Sequence, residues 1–150
     1  MSPPLVPPDF NVPVSFDGPG FQLEPLGPEH NERDYDAWTS SIEHIKATPG
    51  FEESDWPHPM SLEANLSDLV RHADDFANRK GFTYSVLDGD AVIGCIYIYP
   101  TKKEGHDVSV ASWVRQSRAE MDVVVWRAVS DWIRSRWPFQ GPLYAARETG

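Results

Sequence analysis

Residues Tyr84 to Tyr99 read Tyr-Ser-Val-Leu-Asp-Gly-Asp-Ala-Val-Ile-Gly-Cys-Ile-Tyr-Ile-Tyr, two β-rich runs that meet at Asp88-Gly89. An Asp-Gly pair tolerates the positive φ angles of a tight hairpin, so the two runs are expected as antiparallel neighbours. The second run, Ala91 to Tyr99, is apolar on both faces, as suits a central strand covered by helices on each side. A third run, Val108 to Val114, leads to an apolar-periodic segment from Glu120 to Trp137, and a short run, Leu143 to Ala146, follows Gly141-Pro142. Hairpin, third strand, helix and strand make a meander that turns into a βαβ crossover. Such a crossover sets a helix N-terminus beside a strand end, where anionic ligands are readily held.

Upstream, Phe21 to Leu26 alternates apolar and polar residues and predicts a first strand, with Pro25 at its edge or end. Tyr35, Trp38, Ile42 and Ile45 recur at helical spacing, predicting a helix from Asn31 to about Ala47 with Asp34 as its cap. Ser61 caps a second helix in which Leu62, Leu66, Leu69, Ala73 and Phe76 form the apolar stripe, stopping near Lys80-Gly81. Between the helices, Phe51 to Pro59 is a loop carrying Trp56-Pro-His-Pro59. Eight of the fourteen prolines fall in the first 28 residues. Residues 1–20 therefore read as an extended or disordered lead-in, with a short edge strand at Val12 to Phe16, and residues 21–150 as the folded domain. The expected class is a mixed α/β layered domain with a mostly antiparallel sheet.

A net charge of −10 with no basic stripe argues against a nucleic-acid partner. No run reaches membrane-spanning length, and the start lacks the regions of a signal peptide, so a cytoplasmic protein is expected. The lone Cys95 excludes an internal disulfide and a thiolate metal cluster and reads as a small buried residue. His30, His44, His58, His72 and His106 show no ligand spacing, so no metal is expected. Met121, Val125, Val129, Trp132 and Ile133 form a packing stripe, with Arg127, Arg134 and Arg136 on solvated positions.

The order of elements, together with Val92-Ile-Gly94, Ser112-Trp-Val-Arg115 and the Trp56-Pro-His-Pro-Met60 loop, resembles the GNAT superfamily of N-acetyltransferases from about Phe21 onward. The resemblance implies a cytoplasmic enzyme that moves an acetyl group from acetyl-CoA to a primary amine, on a small molecule or a peptide, by direct attack. It places pantetheine on the backbone of Trp113 and Val114, and the pyrophosphate on Arg115, Gln116, Ser117, Arg118 and Ala119. Trp56, His58 and Tyr97 would form the acceptor side. Asp107 and Glu104 lie where the family often recruits a base, although both also read as solvated turn charges. Tyr97 and Tyr99 share a strand face with Cys95 and either line the acceptor pocket, with Tyr99 among the catalytic candidates, or pack against a helix.

Two features depart from the family pattern. Arg115 to Asp122 contains no glycine, and Ser117-Arg-Ala-Glu120 has capping-box spacing that competes for the same backbone donors. Glu120 and Asp122 suit the helix dipole but oppose an anion, leaving Arg115 and Arg118 to bind phosphate by side chain. The family also commonly continues past the last strand, so Leu143 to Ala146 is expected to have an exposed edge. Val12 to Phe16 or a second copy can cover it, and a homodimer is the expectation. Tyr144 reads as a packed aromatic. The rival is a non-catalytic GNAT-fold binding or regulatory module that kept the cleft and lost the glycine turn.

Overall fold

The computed structural model describes residues 4–147; the outermost residues of the lead-in and of the C-terminal run, 1–3 and 148–150, lie outside it. Six strands follow in chain order: β1 (Phe16–Gly18), β2 (Phe21–Pro25), β3 (Phe82–Asp88), β4 (Ala91–Pro100), β5 (Val108–Val114) and β6 (Pro142–Tyr144). The helices are α1 (Asn31–Thr39), α2 (Ile42–Lys46), α3 (Leu62–Ala77) and α4 (Met121–Arg136), with short 3-10 turns at Pro28–His30 and Gln116–Arg118. Spatial order in the sheet equals sequence order, and every pair is antiparallel except β5 with β6. The α4 crossover therefore joins parallel neighbours, as the sequence predicts.

The hairpin closes through Asp88 opposite Ala91, with Gly89 at φ 60°. Gly94 has a different reason to be glycine. A Cβ there would lie 2.2 Å from the Trp113 carbonyl oxygen, so β4 and β5 approach more closely than any side chain allows. β4 is covered on both faces. Ile96 and Ile98 join the core beneath α4 with Tyr84, Val125, Val129 and Trp132, while Cys95 joins Trp38, Ile45, Leu69 and Trp113 beneath α1–α3.

Several local expectations are corrected. The helix from Asn31 breaks at Ser40-Ser41: Ser41 takes φ −137°, and its hydroxyl accepts the Gln116 N–H at 2.8 Å. The break lets Trp38 and Ile45, on separate helices, both become fully buried. Asp34 is no cap, because it lies buried inside α1 after a 3-10 turn that starts at Pro28. Ser61 does cap α3, accepting the Ala64 N–H at 3.0 Å, but the left-handed residue that ends it is Arg79, not Gly81. The inward stripe of α3 is Asn65, Leu69, His72 and Phe76, whereas Leu62, Leu66 and Val70 are exposed. The Ser117–Glu120 capping box does not form; α4 starts after Glu120 without a side-chain cap, and that carboxylate pairs with Arg118 Nε at 3.2 Å.

The lead-in is built into the core. Val6 is buried, Phe10 lies 5.3 Å from Trp137 and Phe16 stacks 4.9 Å from Trp132. Arg79 donates to the carbonyls of Pro7 and Phe10, and the Tyr84 hydroxyl to that of Pro13. Its strand is Phe16–Gly18 rather than Val12 to Phe16, and it pairs with β2, at the opposite edge of the sheet from β6. It cannot cover β6.

Candidate active site

Beneath α1–α3 a cavity of about 390 Å3 is lined by Phe51, Trp56, Tyr97, Asp34, Asp68 and His72, among others. Trp56 comes from the loop between α2 and α3 and packs 5.9 Å from Trp113 and 6.4 Å from Tyr97. The Tyr97 hydroxyl accepts from Trp113 Nε1 at 3.0 Å, and burial pushes its pKa well up, so it stays a neutral phenol. His58 is exposed, with Nδ1 3.2 Å from the Pro59 carbonyl, and does not line the cavity. A larger hollow of about 760 Å3 lies against β1 and α4, but the charged residues lining it, Asp17, Asp131 and Arg136, are all exposed.

Four titratable residues in the cavity, Asp34, Asp68, Arg71 and His72, were not among the site residues expected from the sequence, and Asp34 and His72 are the more buried pair. Asp34 is 4% exposed; one oxygen accepts from Asn65 Nδ2 at 3.1 Å, and Asn65 in turn accepts from Trp38 Nε1 at 3.0 Å. Burial raises the Asp34 pKa to about 6. His72 Nδ1 lies 2.7 Å from the Tyr99 hydroxyl, which donates to Asp75 Oδ2 at 2.9 Å. Burial lowers the His72 pKa and raises that of Tyr99 to about 12. The signal for His72 was its place between Leu69 and Phe76 on a helical stripe, where an apolar residue is the default. Glu104 and Asp107 stand apart from the cavity. Asp107 instead accepts the backbone N–H groups of Gln140 and Gly141, each at 2.9 Å, and fixes the turn into β6.

On the other side of β5, pairing with β6 runs through Val108, Ser109 and Val110 and then stops. Successive residues of a strand present their backbone groups to opposite sides. Arg115 N–H donates to the Ile93 carbonyl on the β4 side, so Trp113 also faces β4, and Ser112 and Val114 face the opening. Of the two residues expected to hold pantetheine by backbone, only Val114 is on the open side; the Trp113 groups are spent inside the sheet. A second cavity of about 390 Å3 runs along Val110, Ala111, Leu143 and Ala145, and shares Gly50 and Ala111 with the first.

Comparison with solved structures finds chains of similar fold among acetyltransferases. Ribosomal-protein-S5-alanine acetyltransferase from Vibrio fischeri superposes with a TM-score of 0.59 at 17% identity, over 81% of this chain and 67% of that one. RimL, a ribosomal L7/L12 alpha-N-protein acetyltransferase, gives 0.60 at 11% identity, over 81% and 64%. The microcin C7 self immunity acetyltransferase MccE, solved with acetyl-CoA and AMP, gives 0.58 at 13% identity, over 79% and 62%. The chain has the fold of the GNAT superfamily. It spans about two thirds or less of the length of these structures. No family model and no curated protein matches the sequence.

The side chains around the opening beside β5 are already engaged. Arg147, its side chain 2% exposed, donates to the Ser112 carbonyl at 2.7 Å, to the carbonyls of Ala145 and Pro49, and to both oxygens of Asp122 on α4. Arg115 pairs with Asp36 at 3.0 Å, and Arg118 with Asp88 at 2.8 Å as well as with Glu120. Gln116 spends its N–H on Ser41, and Ser117 and Ala119 are exposed. A diphosphate does not fit this turn as it stands, because both nominated arginines are neutralised and Arg147 fills the strand opening. Among the described residues no cluster of three or more metal-ligating side chains occurs, and no helix is long and apolar enough to cross a membrane.

Proposed function

We propose that this chain is a GNAT-type N-acyltransferase, taking acetyl-CoA as donor and a primary amine, free or on a peptide, as acceptor. One observation carries the proposal: the cavity lined by Asp34, His72 and Tyr97 meets, at Gly50 and Ala111, a second cavity that runs along Ser109, Leu143 and Ala145 where β5 and β6 still pair. An acceptor and a donor placed in the two cavities would meet at Ala111 of β5, and positioning is the main thing acyl transfer asks of a protein. Val114 offers its backbone to the opening. The Arg147–Asp122 pair makes this a resting state closed on the donor side, so donor binding must displace it.

Incubation with acetyl-CoA and a panel of amines tests the proposal. Acetylated amine and free CoA thiol should appear together, in equal amounts, and only with both substrates. Hydrolysis of acetyl-CoA alone, or no product with any amine, contradicts it. A second reading is favoured by the same Arg147 contacts and the paired arginines at the start of α4: a GNAT-fold binding module without catalysis. A ligand at a hundredfold over its Kd adds about 2.7 kcal/mol to stability. The enzyme reading therefore expects acetyl-CoA to raise the melting temperature by several degrees, and the module reading expects no change.

A further inference from the structure

The hydrogen-bond chain behind His72 decides which of its nitrogens is free. A phenol has one proton, and the Tyr99 hydroxyl gives it to Asp75 Oδ2 at 2.9 Å. Toward His72, at 2.7 Å, the Tyr99 oxygen can then only accept, so Nδ1 carries the ring proton. Thr83 Oγ1 lies 3.2 Å from the same nitrogen. Nε2 is left as a lone-pair acceptor on a residue that lines the cavity.

The charges around it are uneven. Asp34 and Asp68 both line the cavity with Arg71, but Arg71 lies 3.5 Å from Asp68. Asp34 has no cation among the described residues; its one bonded oxygen takes an amide, and it is 4% exposed. A buried carboxylate without a counter-charge is costly unless something positive joins it. The rings of Phe51, Trp56 and Tyr97 form the remaining wall, and π faces favour a cation.

Building on the acyltransferase reading, we infer that this cavity binds a compact primary ammonium, with the Asp34 carboxylate as counter-charge and His72 Nε2 as hydrogen-bond acceptor. Tyr99 and Asp75 act as positioning residues that fix the His72 tautomer. Affinity should rise between about pH 5 and pH 7.5, because Asp34 must ionise, from a pKa of about 6, and His72 must lose its charge, from a lowered pKa. The charged or titratable groups near these two are Arg71, Asp68 and Asp75 on α3 and Cys95, Tyr97 and Tyr99 on β4.

The test is calorimetric titration of the full chain, without acyl-CoA, with phenethylamine and with its neutral isostere 2-phenylethanol. The amine should bind at least about tenfold tighter than the alcohol at pH 7.5, and less tightly at pH 5. Asp34→Asn should remove that preference while leaving alcohol binding unchanged, and His72→Gln should weaken the amine alone. Nitrogen-15 spectra of the histidines should show His72 protonated at Nδ1, and Tyr99→Phe should mix its tautomers. Equal affinity for amine and alcohol, or an Asp34→Asn protein that still prefers the amine, overturns the inference. Amine binding without any acetyl transfer would keep this site and remove the acyltransferase reading. Transfer to amines that is indifferent to Asp34→Asn would do the reverse.

Discussion

Asp34 shows what a single buried carboxylate does to this protein. Its pKa rises from 3.8 to about 6, with burial as the main cause. A shift of about two units corresponds to about 3 kcal/mol. Below pH 3.8 the group is protonated in the folded and unfolded chain alike, and nothing is lost. As pH rises toward 6 the unfolded chain ionises first, and stability falls until the folded carboxyl has ionised too. Asp34→Asn should therefore stabilise the protein at pH 8 by up to about 3 kcal/mol, and by little at pH 4, in urea melts at the two values. A gain of equal size at both pH values would contradict burial as the cause. Asp34 was legible in the sequence only as a helix-start residue, since a polar residue near a periodic run suggests a cap. The preceding 3-10 turn, which pushes it inside the helix, leaves no such mark. Cys95 was legible, because glycine and isoleucine neighbours in a central strand leave a thiol no solvent; it is fully buried.

At the scale of elements, the strand opening beside β5 depends on one ion pair. Arg147→Met would leave Asp122 and the Ser112 carbonyl without their partner, which for a buried pair costs about 3–5 kcal/mol. The double variant Asp122→Asn, Arg147→Met should recover part of that loss in the same urea melts, and a double variant no better than the single one would show that the pair itself is not the source. At the other end of the site, Ser61→Ala should cost about 1 kcal/mol through the lost cap of α3. Strands β2 to β5, the Asp88-Gly89 turn and the crossover were legible, because period-two patterning and turn chemistry are local, whereas β1 formed at Phe16–Gly18 and not at Val12 to Phe16. The fates of Arg115 and Arg118 were not. Their carboxylate partners Asp36 and Asp88 lie 79 and 30 residues away, and only the folded sheet brings them together. The break between α1 and α2 was equally hidden, since Ser41 leaves the helix to meet Gln116, 75 residues on.

For the whole molecule, the proline-rich lead-in is structural. Deletion of residues 1–20 removes β1 and the Val6, Phe10 and Phe16 contacts with the α4 core, and should destabilise the chain by at least about 3 kcal/mol, the cost of one buried aromatic. Unchanged melting of the truncated chain would contradict that. Because the lead-in lies at the β1 edge, the outer edge of β6 has no strand partner among the described residues. We propose that a second copy pairs there. Light scattering at micromolar concentration should then give twice the 16.9 kDa chain mass, and a monomer would remove the proposal.

The central claim, that the opening beside β5 is an acyl-CoA site held closed by Arg147, is tested most directly by titrating acetyl-CoA into the native chain and into the Asp122→Asn, Arg147→Met variant by calorimetry. Saturable binding to both, at least about tenfold tighter in the variant, is the predicted result. No heat from either protein at millimolar acetyl-CoA, with both still folded, would contradict the claim.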